Sequence, residues 1–109
     1  MAIDVQSLAS EMLGAALPIL KKDADDAESF AKVEFTKIAQ TIASIGGQLA
    51  TNQITERQAV LLLNMQKLAS QNVLLTLEGL GLLAVEAAIN AALGVVRSTV
   101  NTAVGFALL

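Results

Sequence analysis

Residues 73–96 form a stretch of 24 with only four polar side chains, Thr76, Glu78, Glu86 and Asn90. No proline follows Pro18, so a helix starting near Glu56 has nothing of that kind to stop it before the end of the chain. At 1.5 Å per residue such a helix would reach ~75 Å, whereas a domain of this size has a radius of gyration near 13 Å. Either the helix breaks, with Gly79-Leu80-Gly81 and Gly94 as the candidate points, or the protein builds an elongated assembly.

The rest of the chain follows the same rule of helix against helix. Leu, Ala, Val and Ile supply nearly all of the apolar content, with three Phe and no Trp or Tyr. Ala and Leu favour helices, and the aromatic residues typical of strands are nearly missing. The expected fold is all-α: two antiparallel helices plus a long apolar C-terminal helix, a bundle completed by oligomerisation.

Helix 1 is expected over residues 4–21. Val5, Leu8, Ala9, Met12, Leu13, Ala16, Leu17 and Leu20 mark one apolar stripe, and Asp4 is placed as N-cap. Pro18 predicts a kink and a helix end near residues 20–22, because its ring would clash with the carbonyl of Gly14. The segment 21–28 reads as a turn, with Lys21 and Lys22 suited to a helix C-terminus and Asp25 with Glu28 as a capping pair. Helix 2, over 26–50, has the stripe Ala31, Phe35, Ile38, Ala39, Ile42, Ile45 and Leu49, widened by Phe30 and Val33. Gly46-Gly47 predicts a bend or an early stop. Thr55 and Gln58 form a capping box that opens helix 3, over 56–107, with Ile54 and Ala59 as a weak staple. The whole chain, 1–109, reads as a single domain.

Charge is lopsided. Residues 1–67 hold fourteen of the seventeen charged side chains, and 68–109 hold Glu78, Glu86 and Arg97. Seven cations within a net charge of -3, and no aromatic platform, argue against nucleic-acid binding. Without cysteine or histidine there is no thiolate and no imidazole base, which removes the usual nucleophile–base arrangements. The acids at 23–28 lack the spacing of a calcium loop, and Glu34, Glu78 and Glu86 lack the histidines of a carboxylate-bridged metal site. Phosphate-binding glycine loops are absent. The expectations are no enzymatic activity, no cofactor, no metal and no small-molecule substrate.

Two polar rows cross the apolar C-terminal half: Asn64, Lys67, Gln71 and Glu78, then Glu86, Asn90, Arg97 and Asn101. They read as solvent-facing strips, as buried pairs that fix register between helices in the manner of a coiled coil, or as a lumen-facing stripe in lipid. Ala84, Ala88, Ala92 and Gly94 add small residues that permit close helix approach.

Fifty-four per cent of the residues are hydrophobic, more than a chain of 109 residues is expected to hide as a monomer. That excess leads to a structural protein that packs its apolar C-terminal helix into a homo-oligomer. Leu75, Leu82, Glu86, Ile89, Asn90, Leu93, Val96 and Arg97 are the expected interface residues. The alternative is a membrane-associated or membrane-inserting protein acting through 73–109. Residues 73–96 are long enough to span a bilayer, but Glu78 and Glu86 lie inside and no aromatic belt flanks them. The N-terminus, Met1-Ala2-Ile3-Asp4, lacks the basic start of a secretory signal, and a cytoplasmic location is expected.

Overall fold

The structure, a computed structural model, describes residues 3–109. Met1 and Ala2, with which the expected non-secretory N-terminus begins, lie outside the described residues. Four helices follow in order: α1 (Val5–Lys21), α2 (Ala27–Ala50), α3 (Glu56–Leu74) and α4 (Leu82–Val104). No strand occurs among the described residues. The all-α expectation therefore stands, and the expected count of three helices is corrected to four.

The helix starts and ends have local causes. The Asp4 carboxylate accepts from the backbone N–H of Gln6 at 3.1 Å and of Ser7 at 3.4 Å, and from the Ser7 hydroxyl at 2.9 Å. These bonds, the Ser7 hydroxyl above all, hold the Asp4 carboxyl below the usual carboxylate range. Thr55 and Gln58 form the expected capping box: the Gln58 N–H donates to Thr55 Oγ1 at 3.1 Å, and the Thr55 N–H donates to Gln58 Oε1 at 2.9 Å. The Asp25–Glu28 cap does not form. Asp26 precedes α2 without a side-chain bond, and Glu28 instead meets Lys21 across the turn at 3.8 Å. α1 continues through Pro18 to Lys21, with Gly14 and Pro18 both exposed, so the carbonyl that proline deprives of a donor can bond to water. α2 likewise runs on through Gly46-Gly47 to Ala50.

The long apolar run breaks at 75–81, the earlier of the two sites that its glycines marked, while Gly94 sits inside an unbroken α4. Gly79 has φ +94°, and a Cβ there would collide with the backbone carbonyl of Asp23. A glycine is thus what lets the α3–α4 turn lie against the α1–α2 turn. Leu77 and Leu80 are buried and anchor the turn in the core. At the other end of α4, Gly105 (φ 85°) donates to the Asn101 carbonyl at 2.9 Å, and the Asn101 side chain accepts from the Leu109 N–H at 2.9 Å.

The helices run up-down-up-down. α2 packs on α1, α3 on α2, and α4 on α1, while α3 and α4 approach each other only sparsely. The bundle is a square with one side ajar. Its core holds Leu8, Met12, Ala16 and Leu20 of α1, the Phe35–Ile38–Ile42–Ile45 stripe of α2, and Val85, Ile89, Val96 and Val100 of α4. α3 contributes least, with Ala59, Leu63, Ser70 and Leu74. Ile3 reaches the far end of the bundle, where its side chain and that of Val104 both border Gly46. The longest dimension is 42 Å, well short of the ~75 Å of an uninterrupted third helix.

Candidate interaction surface on the third helix

The core face of α3 is given by the buried residues Ala59, Leu63, Ser70 and Leu74. Leu61, Met65 and Leu68 are spaced 4 and 3, and at 100° per residue they sit about half a turn away from that face. They are exposed: Leu61 by 54%, Met65 by 66% and Leu68 by 58%. Asn72, also exposed, continues the row one step further and ends its apolar part. Leu62, 37% exposed, and Ala69 widen the stripe toward α2. α3 is therefore apolar on two opposite sides, and only one of them is used within the chain. A single exposed leucine is unremarkable, but a contiguous row on one helix marks an interaction surface.

A shallow groove lies between this stripe and α2. Ile45 forms its floor, Leu62, Met65 and Ala69 one wall, and Thr41, Ser44 and Gln48 the other. Its polar residues hold the two helices in register. Thr41 Oγ1 donates to Gln66 Oε1 at 3.3 Å, and Gln66 Nε2 donates to the buried Ser70 hydroxyl at 3.1 Å. Phe30 and Val33, expected to widen the core face of α2, are instead 43% and 52% exposed, on the same side of α2 as Thr41 and Ser44. They flank the buried carboxylate of Glu34, which Lys37 reaches at 3.2 Å. The sequence carried no sign of this burial. Glu78 and Glu86 are exposed.

The eight residues expected at an α4 interface separate into two groups. Ile89, Leu93 and Val96 are buried in this chain's own core. Leu75 is half-buried in the turn after α3. Leu82, Glu86, Asn90 and Arg97 are exposed. The two polar rows meet in space: Asn64, Lys67 and Gln71 of α3 line one groove with Glu86 and Asn90 of α4, above Ile89. This groove, which Leu68 also lines, is the open side of the square. Ala88 and Ala92, the small residues of the expected close-approach face, are fully buried.

α4 is also the one helix among the described residues long and apolar enough to cross a membrane, 23 residues with mean hydropathy 1.4. In this fold it is the partner of α1, and seven of its side chains are buried.

No protein-family model, curated protein or solved structure matches the chain.

The stripe of α3 escaped the sequence reading because Val60, Leu61, Leu62 and Leu63 are four consecutive apolar residues. A run of that kind covers every side of a helix, and period alone does not say which side faces the core. The signal that was present is the 61-65-68 spacing, which runs beside the 59-63-70-74 set as a second stripe.

Proposed function

We propose that this chain is a non-enzymatic structural subunit that self-assembles, with the outward face of α3 as its contact surface. The supporting observation is the row Leu61, Met65 and Leu68, each more than half exposed on the side of α3 that the bundle does not use. Covering each of these side chains is worth roughly 1 to 2 kcal/mol at about 25 cal/mol per Å². Packing supports α3 over the expected α4 residues as the interface. Ile89, Leu93 and Val96 would have to leave the monomer core to serve between copies, whereas the α3 stripe is free without any rearrangement.

The experiment is light scattering behind size-exclusion chromatography, without detergent, on the natural chain and on Met65→Glu/Leu68→Glu. The natural chain should form a discrete species heavier than 11.3 kDa, and the double variant should keep its helicity and run at monomer mass. A natural chain that stays monomeric throughout, or a double variant that assembles unchanged, overturns the proposal. Charges placed at Ile89 or Val96 would test folding instead, since both lie in the core.

A second reading is membrane association through α4, favoured by the length and hydropathy of that helix. It requires α4 to leave α1, which would bare the α1 face carrying Leu8, Met12 and Leu20. Flotation with liposomes separates the two readings: an assembly subunit stays with the soluble fraction, in keeping with a cytoplasmic location, and an inserting helix floats.

A further inference from the structure

We infer that the occupant of the α3 face is the α3 of a second copy, laid antiparallel about a two-fold axis between Gln66 and Lys67. This rests on the self-assembly reading and specifies its geometry.

The outward face of α3 has two unlike edges. The edge toward α2 is apolar, with Leu62 and Ala69. The edge toward α4 is polar, with Asn64 and Gln71, and Arg57 lies on the same line one turn-pair earlier. A two-fold axis perpendicular to the helices, the antiparallel case, lays each edge on its own equivalent in the second copy. A two-fold axis along the helices, the parallel case, lays each edge on the other one. Leu62 would then meet the second copy's Arg57, and Ala69 its Asn64. The antiparallel pair instead sets Leu62 on the second copy's Ala69, a large side chain on a small one, and Asn64 on its Gln71.

The seam between the edges fits the same axis. Residues 61, 65, 68 and 72 have the spacing 4-3-4, which reads the same in both directions. Met65 therefore packs on the second copy's Leu68, twice, at the centre. Leu61 faces its Asn72 at the two ends, where water reaches the amide. Asn72 taken alone would favour the parallel pair, in which two amides meet. The five edge residues outweigh it.

Charge points the same way. Arg57 is exposed near the start of α3, and Glu78 is exposed in the turn just past its end. In the antiparallel pair Arg57 comes to the level of the second copy's Glu78 along the axis, and the two-fold repeats that opposition at the other end. The antiparallel arrangement also opposes the two helix dipoles favourably. Because only a short row of side chains is covered, far fewer than the 20–30 residues a side of a standard interface, the dimer should dissociate over the micromolar range.

The chain has no native cysteine, so single cysteines report geometry cleanly. Leu61→Cys protein and Asn72→Cys protein are mixed and oxidised, beside each alone. The antiparallel pair gives a disulfide-linked mixed dimer in large excess over the Leu61→Cys homodimer, whose two sulfurs it holds about 16 Å apart along the axis. Dimerisation is also measured for Arg57→Glu, which should loosen the dimer about tenfold, and for Arg57→Glu with Glu78→Arg, which should recover most of that loss. All four positions are exposed, and circular dichroism checks that the variants keep the helical fold. Preferential linkage of Leu61→Cys to itself, or an Arg57→Glu variant that dimerises as the natural chain does, overturns the antiparallel assignment while self-assembly survives. A natural chain that remains monomeric at every concentration overturns both.

Discussion

Gly79 shows how one residue decides the course of the longest apolar segment. Its φ of +94° belongs to the left-handed region, and the Asp23 carbonyl occupies the space a side chain would need. Gly79→Ala therefore adds backbone strain to a steric clash, and the turn at 75–81 should separate from the turn at 22–26. The expected loss of stability is about 2 kcal/mol or more, read from the urea midpoint against the natural chain. Gly94→Ala is the control. That glycine lies inside α4 with open space around it, and the alanine should stabilise the helix by up to about 1 kcal/mol. The sequence pointed to both glycines as break points with equal force. What separated them was Asp23, fifty-six residues earlier in the chain, and no local pattern carries that information. The charged residues divide in the same way. Asp4 and the Thr55–Gln58 box were legible because caps are set within one turn of helix. The burial of Glu34 was not, because the residues that cover it belong to the folded bundle.

At the scale of the element, α1 and α2 were readable almost to the residue. On each, periodicity selected the stripe that faces the core, and on α2 it is buried from Ala31 to Ile45, with Phe30 and Val33 exposed outside it. α3 and α4 were not separable. Their apolar residues continue through the turn, so composition marked no boundary, and the extra stripe on α3 was hidden among leucines that fill both sides of the helix. α3 is the least embedded of the four. It touches mainly α2, and only four of its nineteen residues are buried. Its start should matter accordingly. Thr55→Ala removes the acceptor for the Gln58 N–H and leaves only the half of the box in which the backbone N–H of residue 55 donates to Gln58 Oε1, at a cost of about 1 kcal/mol. Hydrogen exchange should show that loss concentrated in the first turns of α3, with the amides of α1 and α4 little changed. A uniform rise in exchange across the bundle would mean that α3 is coupled to its neighbours more tightly than its packing indicates.

Over the whole molecule, the accessible surface is 6040 Å², close to the ~5,700 Å² typical of a monomer of this mass. The chain therefore buries a core of its own, and the self-assembly proposed above would join copies through the outside of α3. The excess of apolar residues that the composition revealed is real, but it is divided. Most of it fills the interior along α1, α2 and α4, and the remainder lies on the outside of α3, at Phe30 and Val33 of α2, and at Leu82, Leu83 and Val95 of α4. Hydropathy summed along the chain cannot make that division, because Ile89 inside and Leu83 outside contribute alike.

The ring order of the helices carries one more consequence. α4 is held by α1, the element farthest from it in sequence, and hardly at all by α3, the element that precedes it. The covalent link through 75–81 is therefore not what keeps α4 in place. A chain cut within that turn should remain whole, and two separately made pieces, 1–78 and 79–109, should find each other and rebuild the bundle. Recovery of the native circular dichroism spectrum on mixing would show it, and a mixture whose spectrum is merely the sum of its parts would refute it. In engineering terms this small protein already has the layout of a split reporter, its two pieces held together by the packing of α4 on α1.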